Sequence, residues 1–357
     1  MPTRIVPFTT DLLPTVARFS RKMWTRPVDD AYLRWRYLEC PAQLGYLAVD
    51  DAGECVAMIW AFRRPYRIGD RRVVCLETCD WFTLPELRTS LLGVRVMRAL
   101  MQNPEIIVAV GGSAHTLGLL PSLRWNPVGQ VTQFVLPLEG IAVGQFLERR
   151  LGIPAGRIRS IFRGTARHWF AADVPVSMPG GQVQRGEEIT PDLVQLHDQE
   201  SGYALLPAID PDLTGWLMRS PASLGEMVLL RFLIWGRLMG WSLSRVHESP
   251  AGRDATILEV FAPGTEPAVH EWLVSETVDA LRKHQPDSIH ATASAEPLRR
   301  ALRRRRFMKL RDMPVHVWRG TDELTRLPLH IGNNTSDAPI FPYPTEAPSS
   351  ETVEGSG

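Results

Sequence analysis

The chain has 357 residues and carries 40 Lys and Arg against 39 Asp and Glu, a formal charge of +1. That balance excludes a strongly basic coat for nucleic acid and an acidic disordered chain. The length suits two domains, each able to bury a core. Cys40, Cys55, Cys75 and Cys79 are the only cysteines, with no His or Cys pair following at zinc spacing. Neither a metal site nor a disulfide scaffold is expected. The start, MPTRIVPFTTDLLP, has no basic segment followed by a long apolar run, and the most apolar window, 227–241, is interrupted by Arg231 and Arg237. The expectation is a cytoplasmic protein with no secretion signal and no membrane span.

In chain order, the pattern predicts a helix over 11–20 and a second over 30–39 that stops before Pro41. Strands over 45–49 and 56–63 flank the turn Asp50-Asp51-Ala52-Gly53, whose residues suit a tight turn. A strand over 72–82, a helix over 85–102, a short buried strand over 106–110, a helix over 114–123 and a strand over 128–138 follow. This is a mixed α+β succession.

The succession then recurs. Trp35 precedes Pro41-Ala42-Gln43-Leu44-Gly45, and Trp216 precedes Pro221-Ala222-Ser223-Leu224-Gly225. Leu76-Glu77 matches Leu258-Glu259; Ile107, Ala109, Leu120, Arg124 and Trp125 match Ile289, Ala291, Leu302, Arg306 and Phe307. The offset stays between 180 and 182. A period of that size is too long for a solenoid and implies two copies of one domain. The expected division is 1–140, a connector at 141–186 with a helix over 142–151, a second copy at 187–320, and a disordered tail at 321–357. Trp35 and Trp216 are expected to pack the second helix of each copy on its sheet. Tyr37 and Trp60 are alternative candidates for lining an acceptor pocket.

One stretch has the residues for chemistry. Trp81, Phe82 and Thr83 end a strand, and Pro85 opens a helix that contains Arg88, Thr89, Ser90, Leu91, Leu92, Gly93 and Val94. Free backbone N–H groups at a strand-to-helix junction attract phosphate. Arg88 adds a cation, Thr89 and Ser90 add hydroxyls, and Gly93 lets the backbone approach closely.

Arg88 with Gly93 five residues later resembles the pyrophosphate loop of the GNAT acyl-CoA N-acyltransferase superfamily, Arg/Gln-x-x-Gly-x-Gly/Ala. Leu91 stands where the middle glycine belongs. Residues 117–125 resemble the family's Tyr-x-x-x-Gly-Phe helix end, with Trp125 for Phe, Arg124 for Gly and Leu120 for Tyr. The resemblance implies two tandem domains, each a mixed, V-shaped sheet flanked by helices. It implies acetyl-CoA or another acyl-CoA as co-substrate, with Trp81, Phe82 and Thr83 along the CoA arm and residues 88–94 at the pyrophosphate. The second copy offers Glu266 and Glu271 near the equivalent place, which would repel a pyrophosphate. One CoA site, in the first half, is therefore expected. Transfer to an amine needs a base, an oxyanion donor and an acid. Family members place a glutamate on the strand before the loop, which makes Glu77 and Asp80 the candidates. Glu77 could instead pair with a neighbouring arginine such as Arg63, Arg64, Arg71 or Arg72. Ser113 and His115 follow the next strand and could face the same cleft; His115 or Cys79 would stand in for the missing tyrosine acid.

The expected acceptor is an amine of a small molecule, amino acid or sugar. Two other readings stay open: a non-catalytic scaffold or acyl-CoA sensor, and an aminoacyl-tRNA-dependent transferase. The last would use the basic run Arg299, Arg300 and Arg303 to Arg306. That run lacks interleaved aromatics, and a solvated helix face is its simpler reading.

Overall fold

The structure is a computed structural model that describes residues 2–24, 29–69, 71–139, 176–199, 203–249, 252–264, 266–320, 324, 328–335 and 339–340. The first half contains β1 (Thr3–Pro7), α1 (Leu13–Met23), α2 (Asp30–Arg34), β2 (Gln43–Asp50), β3 (Cys55–Ile68), β4 (Arg71–Thr83), α3 (Leu92–Leu100), β5 (Ile106–Val110), α4 (Ala114–Leu119) and β6 (Asn126–Pro137). The second contains β7 (Gly181–Gly186), α5 (Pro191–Asp198), β8 (Leu206–Pro207), α6 (Pro211–Met218), β9 (Glu226–Ile234), β10 (Arg237–Ser249), β11 (Gly252–Phe261), α7 (Pro267–Arg282), β12 (Ser288–Ala293), α8 (Glu296–Arg304) and β13 (Met308–Trp318).

Local chemistry explains the boundaries. Asp29 Oδ1 accepts from the Tyr32 amide at 2.7 Å and caps α2. The helix runs on through Trp35–Glu39 as a wider turn and stops before Pro41. Asp50 Oδ1 accepts from the amides of Ala52 and Glu54, and Gly53 takes φ +80°, closing the β2–β3 turn. The helix expected over 85–102 is broken. Pro85–Ser90 is a tight 3-10 segment, Leu91 is left-handed at φ +60°, and α3 begins at Leu92. The described strand β7 falls inside the stretch expected to be connector. The helix expected over 142–151 lies outside the described residues.

All the strands among the described residues join one mixed sheet in the order β1-β2-β3-β4-β5-β13-β6-β12-β11-β10-β9-β7, with β8 on β3. When β1–β6 are matched in turn with β7 and β9–β13, this order reads the same from either end. The last strands have changed places. β13 lies antiparallel to β5, β6 lies antiparallel to β12, and the two pair with each other. Each half thus completes the sheet of the other, covering edges that would otherwise stay open. The repeated tryptophans meet at the junction. Trp35 and Trp216 stack at 4.3 Å, and each indole N–H donates to the other's carbonyl, at 3.2 and 2.9 Å. They pack the two halves together rather than each helix on its own sheet.

The tail departs from its expected disorder wherever it is described. Leu329, Ile331, Asn333, Thr335 and Ile340 are buried. Residues 341–357 lie outside the described residues. Apolar side chains and internal hydrogen bonds draw 328–335 and 339–340 into the junction between the halves.

Candidate active site

Strand β4 carries an irregularity in its middle. Met58 faces Phe82 and Trp60 faces Cys79, so Asp80 and Trp81 share the space opposite Ile59. Two residues against one is a β-bulge, which bends and twists its strand. Asp80 sits in it at φ +47°. Parallel pairing of β4 with β5 covers Cys75–Glu77 and Ile106–Val108. Beyond it the strands separate around a cleft of about 750 Å³.

Of the residues singled out from the sequence, the cleft is lined by Trp81, Phe82, Thr83, Arg88, Thr89, Leu91, Gly93, Val94, Ser113 and His115. Arg88, Thr89 and His115 are exposed. The first-turn amides of α3 have no partner within the helix, and no acidic side chain stands in that turn. Trp81 Nε1 donates to the Gly93 carbonyl at 2.8 Å, tying strand to helix. A Cβ on Gly93 would stand 2.9 Å from Thr83 Oγ1, so only glycine fits without displacing Thr83. Leu91 adopts the left-handed backbone that the missing glycine would supply without steric cost. Two residues of the loop stretch do not reach the cleft. Ser90 Oγ turns back to the Leu87 carbonyl at 2.6 Å, and Leu92 is buried in the core beneath α3. Ser113 caps α4, accepting from the Thr116 amide at 3.1 Å.

Neither candidate carboxylate lines the cleft. Glu77 is 2% exposed and does not line the cleft. It accepts from Tyr66 Oη at 2.6 Å and pairs with Arg64 Nη1 at 3.3 Å. This is the arginine pairing that competed with the base assignment. Asp80 is fully buried, 2.5 Å from Arg36 Nη2, and accepts from Tyr37 Oη at 3.0 Å. Burial raises its pKa above the ordinary carboxylate range, opposed by the Arg36 charge and the Tyr37 hydrogen bond. Tyr37 is thereby committed to Asp80. Trp60 is buried against Tyr37 and Phe8. Cys79, named as a stand-in acid, does line the cleft, while Thr78 and the strand-end run Ala109 to Gly112, which line it too, were not singled out. The Gly111-Gly112 pair, with φ +68° and +126°, was a legible mark of an unusual turn there.

The equivalent place in the second half is filled. Pairing of β11 with β12 ends at Ile257 and Ala291. Past it, Gly332 bridges Ala293, Ser294 N donates to the Ile331 carbonyl, and Asn333 Nδ2 donates to the Ile257 carbonyl. The chain's own residues 331–333 occupy the gap. Four arginines of the late basic run have acidic partners: Arg299 and Arg303 with Glu296, Arg304 with Glu271, Arg305 with Asp279. Among the described residues no group of three or more His, Cys, Asp or Glu could hold a metal ion, and no helix is long and apolar enough to cross a membrane.

The sequence matches no family model and no curated protein. Solved structures do align with it. A GCN5-related N-acetyltransferase from Anabaena variabilis gives a TM-score of 0.60 at 11% identity, over 88% of this chain and 72% of its own. Saccharomyces cerevisiae N-myristoyltransferase with bound myristoyl-CoA gives 0.61 at 12%, over 93% and 86%. A GCN5-related N-acetyltransferase from Kribbella flavida gives 0.54 at 14%, over 88% and 70%. With a sheet that splays between β4 and β5 and these alignments over most of its length, the chain has the GNAT fold.

Proposed function

We propose that the protein is an acyl-CoA-dependent N-acyltransferase that binds its donor in the first half and moves an acyl group, acetyl being the simplest, to an amine of a small molecule, amino acid or sugar. The observation that carries this is the open cleft between β4 and β5, with Arg88 and the N-terminus of α3 at one end. Arg88, Thr89 and the first amides of α3 would hold the pyrophosphate. Trp81, Phe82 and Thr83 would line the pantetheine arm, and Cys79 with residues 109–112 the acyl group. Residues 1–140 and 187–320 are read as copies of one unit joined by 141–186, with the second copy supporting the first. The symmetric strand order and the Trp35–Trp216 stack support that reading.

The amine nitrogen attacks the thioester carbonyl, the amide C–N bond forms, the C–S bond breaks, and the amine's proton leaves as the thiolate gains one. His115 is the lining imidazole that can accept the first proton and supply the second. Glu77 and Asp80, each held by an arginine, keep the strand in shape instead. A second reading has its own support: neither carboxylate reaches the cleft, as in a protein that binds acyl-CoA without turning it over.

Calorimetric titration with acetyl-CoA and longer acyl-CoAs, followed by thiol release across an amine panel, tests both. Arg88→Ala is expected to weaken donor binding about tenfold, the usual loss for one charge-assisted contact. No heat or thermal shift with any acyl-CoA would overturn donor binding. Binding with no thiol release for any amine would establish the sensor.

A further inference from the structure

The bulge in β4 is held from the side away from the cleft, and by residues far along the chain. A non-glycine residue at positive φ is strained and persists only where its surroundings over-determine it. Asp80 is over-determined by Arg36. Arg36 is itself 2% exposed, lies on the turn that continues α2, and is surrounded by the rings of Trp24, Tyr32 and Tyr37 at 5.1, 5.8 and 5.6 Å.

One guanidinium nitrogen of Arg36 faces Asp80. Another donates to Tyr32 Oη at 2.5 Å and stands 3.5 Å from the carbonyl oxygen of Ile340. Tyr32 Oη donates to that same carbonyl at 2.8 Å, and Ile340 is fully buried. An unbroken polar chain thus runs from the Ile340 carbonyl through Tyr32 and Arg36 to Asp80. Asp80 lies between Cys79 and Trp81, both of which line the cleft. The stretch is anchored twice more, by Arg64 on the Asn334 carbonyl at 2.5 Å and Arg245 on the Pro339 carbonyl at 2.7 Å. Arg64 and Arg245 stand 181 apart, the repeat offset.

We propose that the late stretch carrying Asn334, Pro339 and Ile340 completes the acyl-donor cleft by fixing Arg36 against Asp80, which makes Asp80, Arg36 and Tyr32 positioning residues for β4. This rests on reading the cleft as the donor site. The guanidinium is a planar fork whose donors have fixed directions. With the Ile340 carbonyl and Tyr32 Oη satisfying one side, its other side can only point at Asp80. Without them the guanidinium turns, Asp80 loses its counter-charge, and the bulge relaxes. A one-residue shift in a strand moves its side chains to the other face, so Cys79 and Trp81 would leave the cleft wall.

The test uses the full chain, a chain ending at Thr335, a chain ending at Ile340, and Tyr32→Phe, which removes one hydroxyl from an otherwise complete fold. Acetyl-CoA affinity is read by calorimetry, the acceptor KM by thiol release, and amide exchange over 78–82 without ligand. Ending at Thr335 is expected to weaken donor affinity about tenfold or more, and Tyr32→Phe to do so by several-fold, with the acceptor KM unchanged. Both are expected to speed exchange at 78–82, while the chain ending at Ile340 keeps full affinity. If wild type binds and Tyr32→Phe keeps both its affinity and its exchange rates, the proposal is overturned, whether or not the shorter chain folds. If wild type binds no acyl-CoA, the donor reading fails separately. Exchange at 78–82 then decides the link alone: faster exchange in Tyr32→Phe supports it and unchanged exchange ends it.

Discussion

Past Glu77, β4 and β5 separate and leave a cleft; past Ile257, β11 and β12 separate and residues 331–333 lie in the gap. The two openings come from the same sequence of elements, and each lies beside a strand pair with a register shift, though at different places: opposite Ile59 in β3–β4 and at Leu258 in β10–β11. What differs is what enters. In the first half the strand end is followed by Gly111, Gly112 and a short cap, and the space stays free. In the second, Ser294 and Ala293 offer hydrogen bonds to a returning segment. A splayed sheet exposes unpaired backbone groups, and these must be met by a ligand, by water or by the chain itself. One half of this molecule uses its own tail, and the other keeps the groups available.

The strongest way to break that comparison is at Gly93. Gly93→Glu puts a carboxylate where the donor phosphate belongs and a Cβ 2.9 Å from Thr83 Oγ1. Acyl-CoA binding is expected to fall by about a hundredfold or more, the scale of one unpaired buried charge. Glu266→Ala, at the start of α7, is expected to leave affinity alone, with one donor bound per chain by calorimetry. A second site appearing in that variant would contradict the filled gap.

The symmetric junction gives the next effect. Trp35→Ala and Trp216→Ala each empty one ring of the central stack, and each is expected to cost about 3–5 kcal/mol by denaturant unfolding. The double variant is expected to lose less than the sum, because the rings contact each other. Additive losses would mean that each tryptophan serves its own half.

A smaller, pH-dependent effect belongs to the filled side. His197 is buried against Phe261, and burial, then the charges of His330 and Arg64, hold its pKa well below the ordinary imidazole range. The unfolded chain protonates this group near 6.5 while the folded chain does not. The associated stability is complete above that pH and is lost at about 1.4 kcal/mol per unit as the pH falls toward the folded value. The melting temperature is expected to drop between pH 7.5 and 5.5, and His197→Leu to flatten the slope. An unchanged slope would exclude His197 as its source.

The smallest effect sharpens the open side. Leu91 holds a left-handed backbone while 63% exposed. Gly there removes a steric cost of roughly 1–2 kcal/mol and returns about 0.5–1 in chain entropy. Leu91→Gly is expected to raise stability by up to about 1 kcal/mol without weakening donor binding. A loss of stability would show that Leu91 contributes contacts that outweigh the strain.

Hydrophobic patterning, turn residues and the repeat of Trp35 at Trp216 determined most of the elements from α1 to β6, though not β1, β7 or the break at Leu91, together with the repeated succession and the stretch 81–94, because these depend on neighbours within a few residues or on a constant offset. Leu91 even marks its own strain, standing where a glycine motif has none. Glu77 was legible as a strand carboxylate with an arginine partner close by, but not as one kept out of the cleft, because its burial with Tyr66 and Arg64 is settled only by the packing around the strand. Asp80 looked like a free acid on a strand; only the fold brings Arg36 to it. The exchange of β6 and β13 between the halves, the entry of 331–333 into the second gap and the burial of Ile340 are matters of tertiary structure alone. They join residues from about 40 to about 300 positions apart, and the hydrogen bonds that make them form only once the sheet has opened the places they fill.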